Sequence, residues 1–174
     1  MEDLRYPVGK LELCMEASAT ERQRWVSEIA ACPALMRAAV QGLSEQQLDT
    51  PYRPNGWTVR QVVHHVPDSH MNAYIRLRLA LTESEPTIKP YNEALWAELA
   101  DSRTAPVELS LSLLEVLHTR WIMLWHSLKD EDWDRTWRHP EMGRLTITAL
   151  ASLYGWHSRH HVAHITELRK RKGW

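Results

Sequence analysis

Phenylalanine is absent from this chain of 174 residues, and tryptophan, with nine copies, is the main source of aromatic bulk. Cysteine is nearly absent too, with only Cys14 and Cys32. Two cysteines cannot make the disulfide framework of a small secreted scaffold, nor a metal site by themselves, so a reducing, cytoplasmic setting is expected. No apolar run approaches the ~20 residues that span a bilayer, which excludes a membrane-spanning helix. The start, Met1-Glu2-Asp3-Leu4-Arg5, is charged with no apolar run behind it, so no signal peptide is expected there. An excess of either charge is also missing. Lys plus Arg number 21 and Asp plus Glu 22, which gives no electrostatic case for nucleic acid or an anionic membrane as partner. The one basic cluster, Arg169-Lys170-Arg171-Lys172, falls at a predicted helix end, where positive charge complements the helix dipole.

What is present reads as a single domain, residues 1–174, long enough to bury a core without staples. Residues up to about Ser18 contain Pro7 and Gly9 and read as extended. Thr20-Glu21-Arg22-Gln23 has the form of a capping box, and Trp25, Ile29, Leu35, Met36 and Val40 give the helix behind it an apolar face, with Pro33 inside it and Gly42 as its stop. A short turn is expected at Ser44–Gln47, and a second capping box, Thr58-Val59-Arg60-Gln61, opens a helix running to about Leu81 with Val59, Val63, Val66, Ala73 and Leu77 on one stripe. Residues 82–106 make a long connection of the kind that crosses a bundle end, with a short helix at Asn92–Leu99. A third long helix is expected from Val107 to Leu128, with Leu113, Leu117, Trp121 and Leu124 inside. Lys129–Arg144 is polar and shows no strand pattern. The fourth helix is the most regular, because Ile147, Leu150, Tyr154, His157, His161, His164 and Leu168 repeat at spacings of 3 and 4. The fold class is all-α, a four-helix bundle with a long crossover connection.

Ten histidines are unevenly placed, with His64, His65 and His70 on the second long helix and His157, His160, His161 and His164 on the fourth. An imidazole on a bundle seam without a partner costs roughly 1–3 kcal/mol. A divalent metal gives several rings a common partner, and two histidines at i and i+4 reach one ion from one helix face. His157–His161 and His160–His164 both have that spacing, but only the first pair lies wholly on the heptad seam. On the second helix periodicity leaves His64, His65 and His70 all open.

The segment from Trp57-Thr58-Val59-Arg60-Gln61 through His64-His65-Val66-Pro67-Asp68 to His70 resembles the second-helix motif of the DinB-like proteins. The segment Trp156-His157-Ser158-Arg159-His160-His161-Val162-Ala163-His164-Ile165 resembles their fourth-helix motif. The likeness extends to the YfiT branch, described as metal-dependent hydrolases, through Tyr6-Pro7-Val8-Gly9, Leu48–Arg53 and Gly173-Trp174. This resemblance implies a DinB-like four-helix bundle, a homodimer, and one divalent ion, zinc or nickel, on His65, His157 and His161. Pro67 departs from the family pattern, which has a small residue there, and a proline two residues after a ligand is expected to affect how His65 is aimed.

Three protein ligands leave a coordination position open, which suits catalysis on a small-molecule substrate by a metal-activated water. His160 and His164 are the candidate proton relays, while Asp68 and Glu167 are expected to be solvated or to support the ligands. Two other readings share the site. One is transfer of a low-molecular-weight thiol such as bacillithiol, and the other is a non-catalytic metal-binding module. Trp121, Trp125, Trp133 and Trp137 are expected in the core rather than at a contact between copies.

Overall fold

In the computed structural model, which describes residues 3–174, four long helices carry the chain: α1 (Ala19–Val40), α3 (Val59–Thr82), α6 (Val107–His126) and α7 (Ile147–Lys172). Met1 and Glu2, from the charged start read above, lie outside the described residues. Short helices α2 (Glu45–Leu48), α4 (Glu93–Trp96) and α5 (Ala100–Thr104) punctuate the connections. The helix starts are set by local hydrogen bonds. Ser18, Ser44 and Thr58 each accept from the backbone three residues on, while Glu21, Gln47 and Gln61 reach back to the cap. The first box therefore begins at Ser18, not Thr20, because Thr20 already lies inside the helix. α7 ends on Gly173, whose φ of +69° a β-carbon would oppose, and its last-turn cations reach other carbonyls: Arg169 donates to Ala39 and Gln41, and Arg171 to Tyr52.

α1 packs on α6 and α7, and α3 packs on the same two helices, so α1 sits diagonally across from α3, and α6 across from α7. The connections 41–58 and 127–146 therefore lead to diagonal helices, whereas 83–106 joins two neighbours. Gly155 allows the closest approach of α1 and α7, because a β-carbon there would lie 2.8 Å from Glu28 Oε2 and 3.1 Å from the Trp25 side chain. The core divides along the bundle. One part gathers Trp25, Ile29, Leu77, Trp121, Trp125, Trp137 and Leu150, and the other gathers Cys32, Met36, Val62, Val66, Leu114, Ile165 and Leu168. Trp121, Trp125, Trp133 and Trp137 are all core residues, and Trp125 stacks on Trp133 with ring centroids 5.5 Å apart.

Other expectations are corrected as well. The polar stretch after α6 holds a 3-10 turn (Asp130–Asp134) and an antiparallel hairpin, β1 (Thr136–His139) on β2 (Gly143–Thr146). Only Trp137 and Leu145 turn inward, which is too short an alternation to read from sequence. The inner stripe of α6 is Leu111, Leu114, His118, Trp121 and Trp125, not one through Leu113 and Leu124, and Leu113 is exposed, as is Leu35 on α1. A histidine occupies the central position of that stripe, so an apolar template skips it. Pro33 and Pro67 both sit inside unbroken helices. No helix among the described residues is long and apolar enough to cross a membrane.

Candidate metal centre

Where α3 and α7 meet, the imidazole ligand atoms of His65, His157 and His161 lie within 4.8 Å of one another. The Nε2 atoms of His65 and His157 are 3.3 Å apart. Two metal–nitrogen bonds of about 2.0–2.1 Å at a tetrahedral angle set their nitrogens about 3.3 Å apart, so the spacing fits a shared ion.

The hydrogen bonds behind His157 fix which of its nitrogens is bare. His118 Nδ1 lies 2.9 Å from the Ile29 carbonyl, which can only accept, so Nδ1 carries the proton. Burial holds the His118 imidazole down to about 4, which keeps the ring neutral at pH 7 and leaves Nε2 as an acceptor. His70 Nδ1, 2.8 Å away, must then donate to it. Burial, followed by the neighbouring His157, holds His70 well below the ordinary histidine range, so it too is neutral and its Nε2 accepts. His157 Nδ1, at 3.0 Å, is the donor to that atom. Burial keeps His157 neutral as well, so its Nε2 is a bare lone pair directed at His65. The chain of imidazoles begins at a proline. Pro33 has no N–H for the carbonyl four residues back, which is that of Ile29, and the carbonyl so freed anchors His118.

The remaining histidines divide by partner. His64 is used up away from this cluster, with Nε2 donating to the Ala105 carbonyl at 3.1 Å and Nδ1 accepting from the Ser110 hydroxyl at 2.7 Å. His160 stacks on Trp156 with centroids 4.1 Å apart and lines the cleft. His164 stacks on Tyr52, with Nε2 donating to the Arg5 carbonyl at 3.2 Å, and is not a cleft residue. Burial lowers His65 and His164 to about 4 and His160 to about 3. Asp68 is half-buried and raised to about 6 by burial, with the nearby Asp101 adding to the shift. Glu167 faces Lys170 near the end of α7.

A second grouping, Cys32, His70 and His118, also has its ligand atoms within 4.8 Å. It competes with the imidazole chain, because all four ring nitrogens of His70 and His118 are already engaged with each other, with His157 and with the Ile29 carbonyl. Burial pushes the Cys32 thiol up to about 12, well away from the thiolate a metal takes. Sequence reasoning missed His118, and its position three turns after the start of α6 carries no motif. The only signal was a histidine flanked by Leu114 and Trp121 at helical spacing.

The grouping of His65, His157 and His161 opens into a cleft of about 810 Å³. Trp57 and Trp156 flank the histidines, and Arg76, Tyr91, His139 and Met142 form the far wall. Arg76 stands on α3, and the rest of that wall comes from the 83–106 connection and the hairpin. They are joined by Ile88 N–H donating to the Arg138 carbonyl at 3.0 Å and Arg138 N–H donating to the Pro86 carbonyl at 2.9 Å.

The sequence profile of the DinB superfamily matches residues 28–165. A protein from Bacillus cereus, provisionally named a metal-dependent hydrolase, is 54% identical over 174 residues, and the match covers all of both chains. One from Bacillus thuringiensis with the same provisional name is also 54% identical over its full length. Among solved structures, YfiT from Bacillus subtilis, described as a probable metal-dependent hydrolase with an unusual four-helix bundle topology, superposes with a TM-score of 0.95. It is 48% identical, with 98% of each chain covered.

Proposed function

The chain belongs to the DinB superfamily, and from that premise we propose that it is a metal-dependent hydrolase of a small-molecule substrate, with one divalent ion, zinc or nickel, held by His65, His157 and His161. The observation that carries this reading is the convergence of three imidazole ligand atoms within 4.8 Å beside an open cleft. A divalent ion held there would supply Lewis acidity and lower the pKa of a bound water. The rest is the work of the chain. Neutral, desolvated imidazoles present lone pairs, and the Ile29–His118–His70 chain holds His157 in the tautomer that binds through Nε2. Trp57 and Trp156 line the cleft beside the ligands. His160, at the cleft wall, is the group proposed to take up or pass on a proton.

Elemental analysis of purified protein beside His157→Ala tests the reading. About one ion per chain is expected in the parent and less than a tenth of that in the variant. Equal metal in both removes the three-histidine site. Hydrolysis of activated esters should follow metal content and stop on chelation. Conjugation of a low-molecular-weight thiol to monochlorobimane above the background rate, with no ester hydrolysis, would replace hydrolysis by thiol transfer at the same site.

A further inference from the structure

Two arginines lie more than nine-tenths buried, and they are treated differently by the fold. Arg60, 4% exposed, is fully engaged: Nε donates to Asp49 at 2.7 Å, and the two terminal nitrogens donate to Glu45 and to the Ala105 carbonyl. Arg76, 8% exposed, makes no hydrogen bond and no ion pair among the described residues. Its N–H groups are not sealed off: they keep some access to solvent and have no protein acceptor, so they are available to an anionic ligand. Arg76 lines the same cleft as the histidine cluster. Its guanidinium carbon lies over the Trp137 ring, 6.0 Å from the centroid, a cation–π contact that uses none of the N–H donors. The two carboxylates of the cleft, Glu93 and Glu141, are both exposed and form no ion pair with it.

Arg76 follows His65 on α3 by three helical turns, about 16 Å along the axis and within roughly 20° of the same face. We propose that Arg76 is the anion subsite of the cleft and that the substrate carries a carboxylate several bonds away from the group placed at the three histidines. A carboxylate matches the guanidinium fork with two parallel hydrogen bonds. The proposal deepens the hydrolytic reading and rests on it for the position of the reacting bond, but not for the anion itself.

Binding to the metal-free protein tests it without turnover. Suberate, octane-1,8-diol and hexyl phosphate would be titrated while tryptophan fluorescence is followed. Suberate should bind, with the diol at least 10-fold weaker. Arg76→Gln should weaken suberate at least 10-fold, and Arg76→Lys should weaken it less. In the metal-loaded protein, mono-4-nitrophenyl esters of dicarboxylic acids should be preferred over neutral 4-nitrophenyl alkanoates of equal length, and that ratio should fall towards one in Arg76→Gln. Equal binding of suberate and the diol by the parent protein overturns the proposal, as does suberate binding unchanged in a folded Arg76→Gln. Tight hexyl phosphate binding with no suberate binding overturns the carboxylate assignment. Arg76-dependent suberate binding with no hydrolysis of any ester supports the anion subsite and removes the hydrolytic reading instead.

Discussion

At the scale of single residues, the site depends on where protons sit. Only one arrangement of neutral rings satisfies Ile29, His118 and His70 together, and it leaves His157 Nε2 bare. His118→Leu removes the acceptor for His70 Nδ1–H and frees His70 to reverse. Metal affinity is expected to fall about 10- to 100-fold, the usual effect of losing the group behind a metal-bound histidine. His118→Gln keeps an acceptor near the Nε2 position and should recover most of that loss. Chelator competition measures the affinities, and 15N shifts of the histidine rings report the tautomers directly in the metal-free protein. A His157 protonated at Nε2 in the parent would refute the chain. Acid stability follows from the same burial. His118 titrates at about 4 in the fold against the ordinary 6.5, so between these values the unfolded chain binds a proton that the folded chain refuses. Stability therefore falls as pH drops from about 6.5 to about 4 and levels off below. His160 and His164, also depressed, act in the same direction. Asp68, raised to about 6, opposes them, since its folded form holds an extra proton between 3.8 and about 6. Several histidines against one carboxylate give net acid destabilisation, read as the thermal midpoint of metal-free protein across this range. A midpoint that rises on acidification would contradict the burial of these rings.

At the scale of elements, α7 was the most legible, because its seam repeats at heptad spacing and its residues, save the half-buried His157, are buried as that spacing requires. The same seam singled out His157 and His161 without help from any family. On α3 periodicity could not choose among His64, His65 and His70, since all three are buried and only their partners differ. Those partners lie far off in sequence. Ile29 is 89 residues from His118, and His70 is 87 from His157, which no local pattern registers. Pro33 shows the limit most clearly. In sequence it is a helix defect, whereas in the fold it frees the carbonyl that orients a histidine on the neighbouring helix α6. Pro33→Ala supplies an N–H that shares the Ile29 carbonyl with His118. Alanine is favoured over proline inside a helix by about 3 kcal/mol, so the metal-free midpoint is expected to rise. Metal affinity should fall, by less than in His118→Leu because a carbonyl can accept twice. Calorimetry and chelator competition on one sample give both values, and affinity unchanged from the parent would separate Pro33 from the site.

At the scale of the whole molecule, the diagonal connections leave α3 and α7 adjacent, so the histidines meet without help from a loop. The cleft wall is another matter. Apart from Arg76 on α3, it is built from the 83–106 connection and the hairpin, neither of which has an apolar pattern long enough to declare itself in sequence. Glu85 ties them together, pairing with Arg138 and, at 3.0 Å, with Arg144. The Arg138 hydrogen bond, with both cations beside it, holds the Glu85 carboxyl below the usual range. Exposed ion pairs stabilise a fold little, about 0–1 kcal/mol, so Glu85→Gln should leave the melting temperature within a few degrees of the parent. The pairs nevertheless join two segments that carry Tyr91 on one side and His139 and Met142 on the other, all in the cleft wall. Loosening that wall lowers the order of the substrate's far end without touching the three histidines. The expected outcome is a KM raised several-fold, with kcat and metal content held near parent values. A change in kcat with KM fixed, or a loss of metal, would mean that the wall and the metal centre are one mechanical unit rather than two.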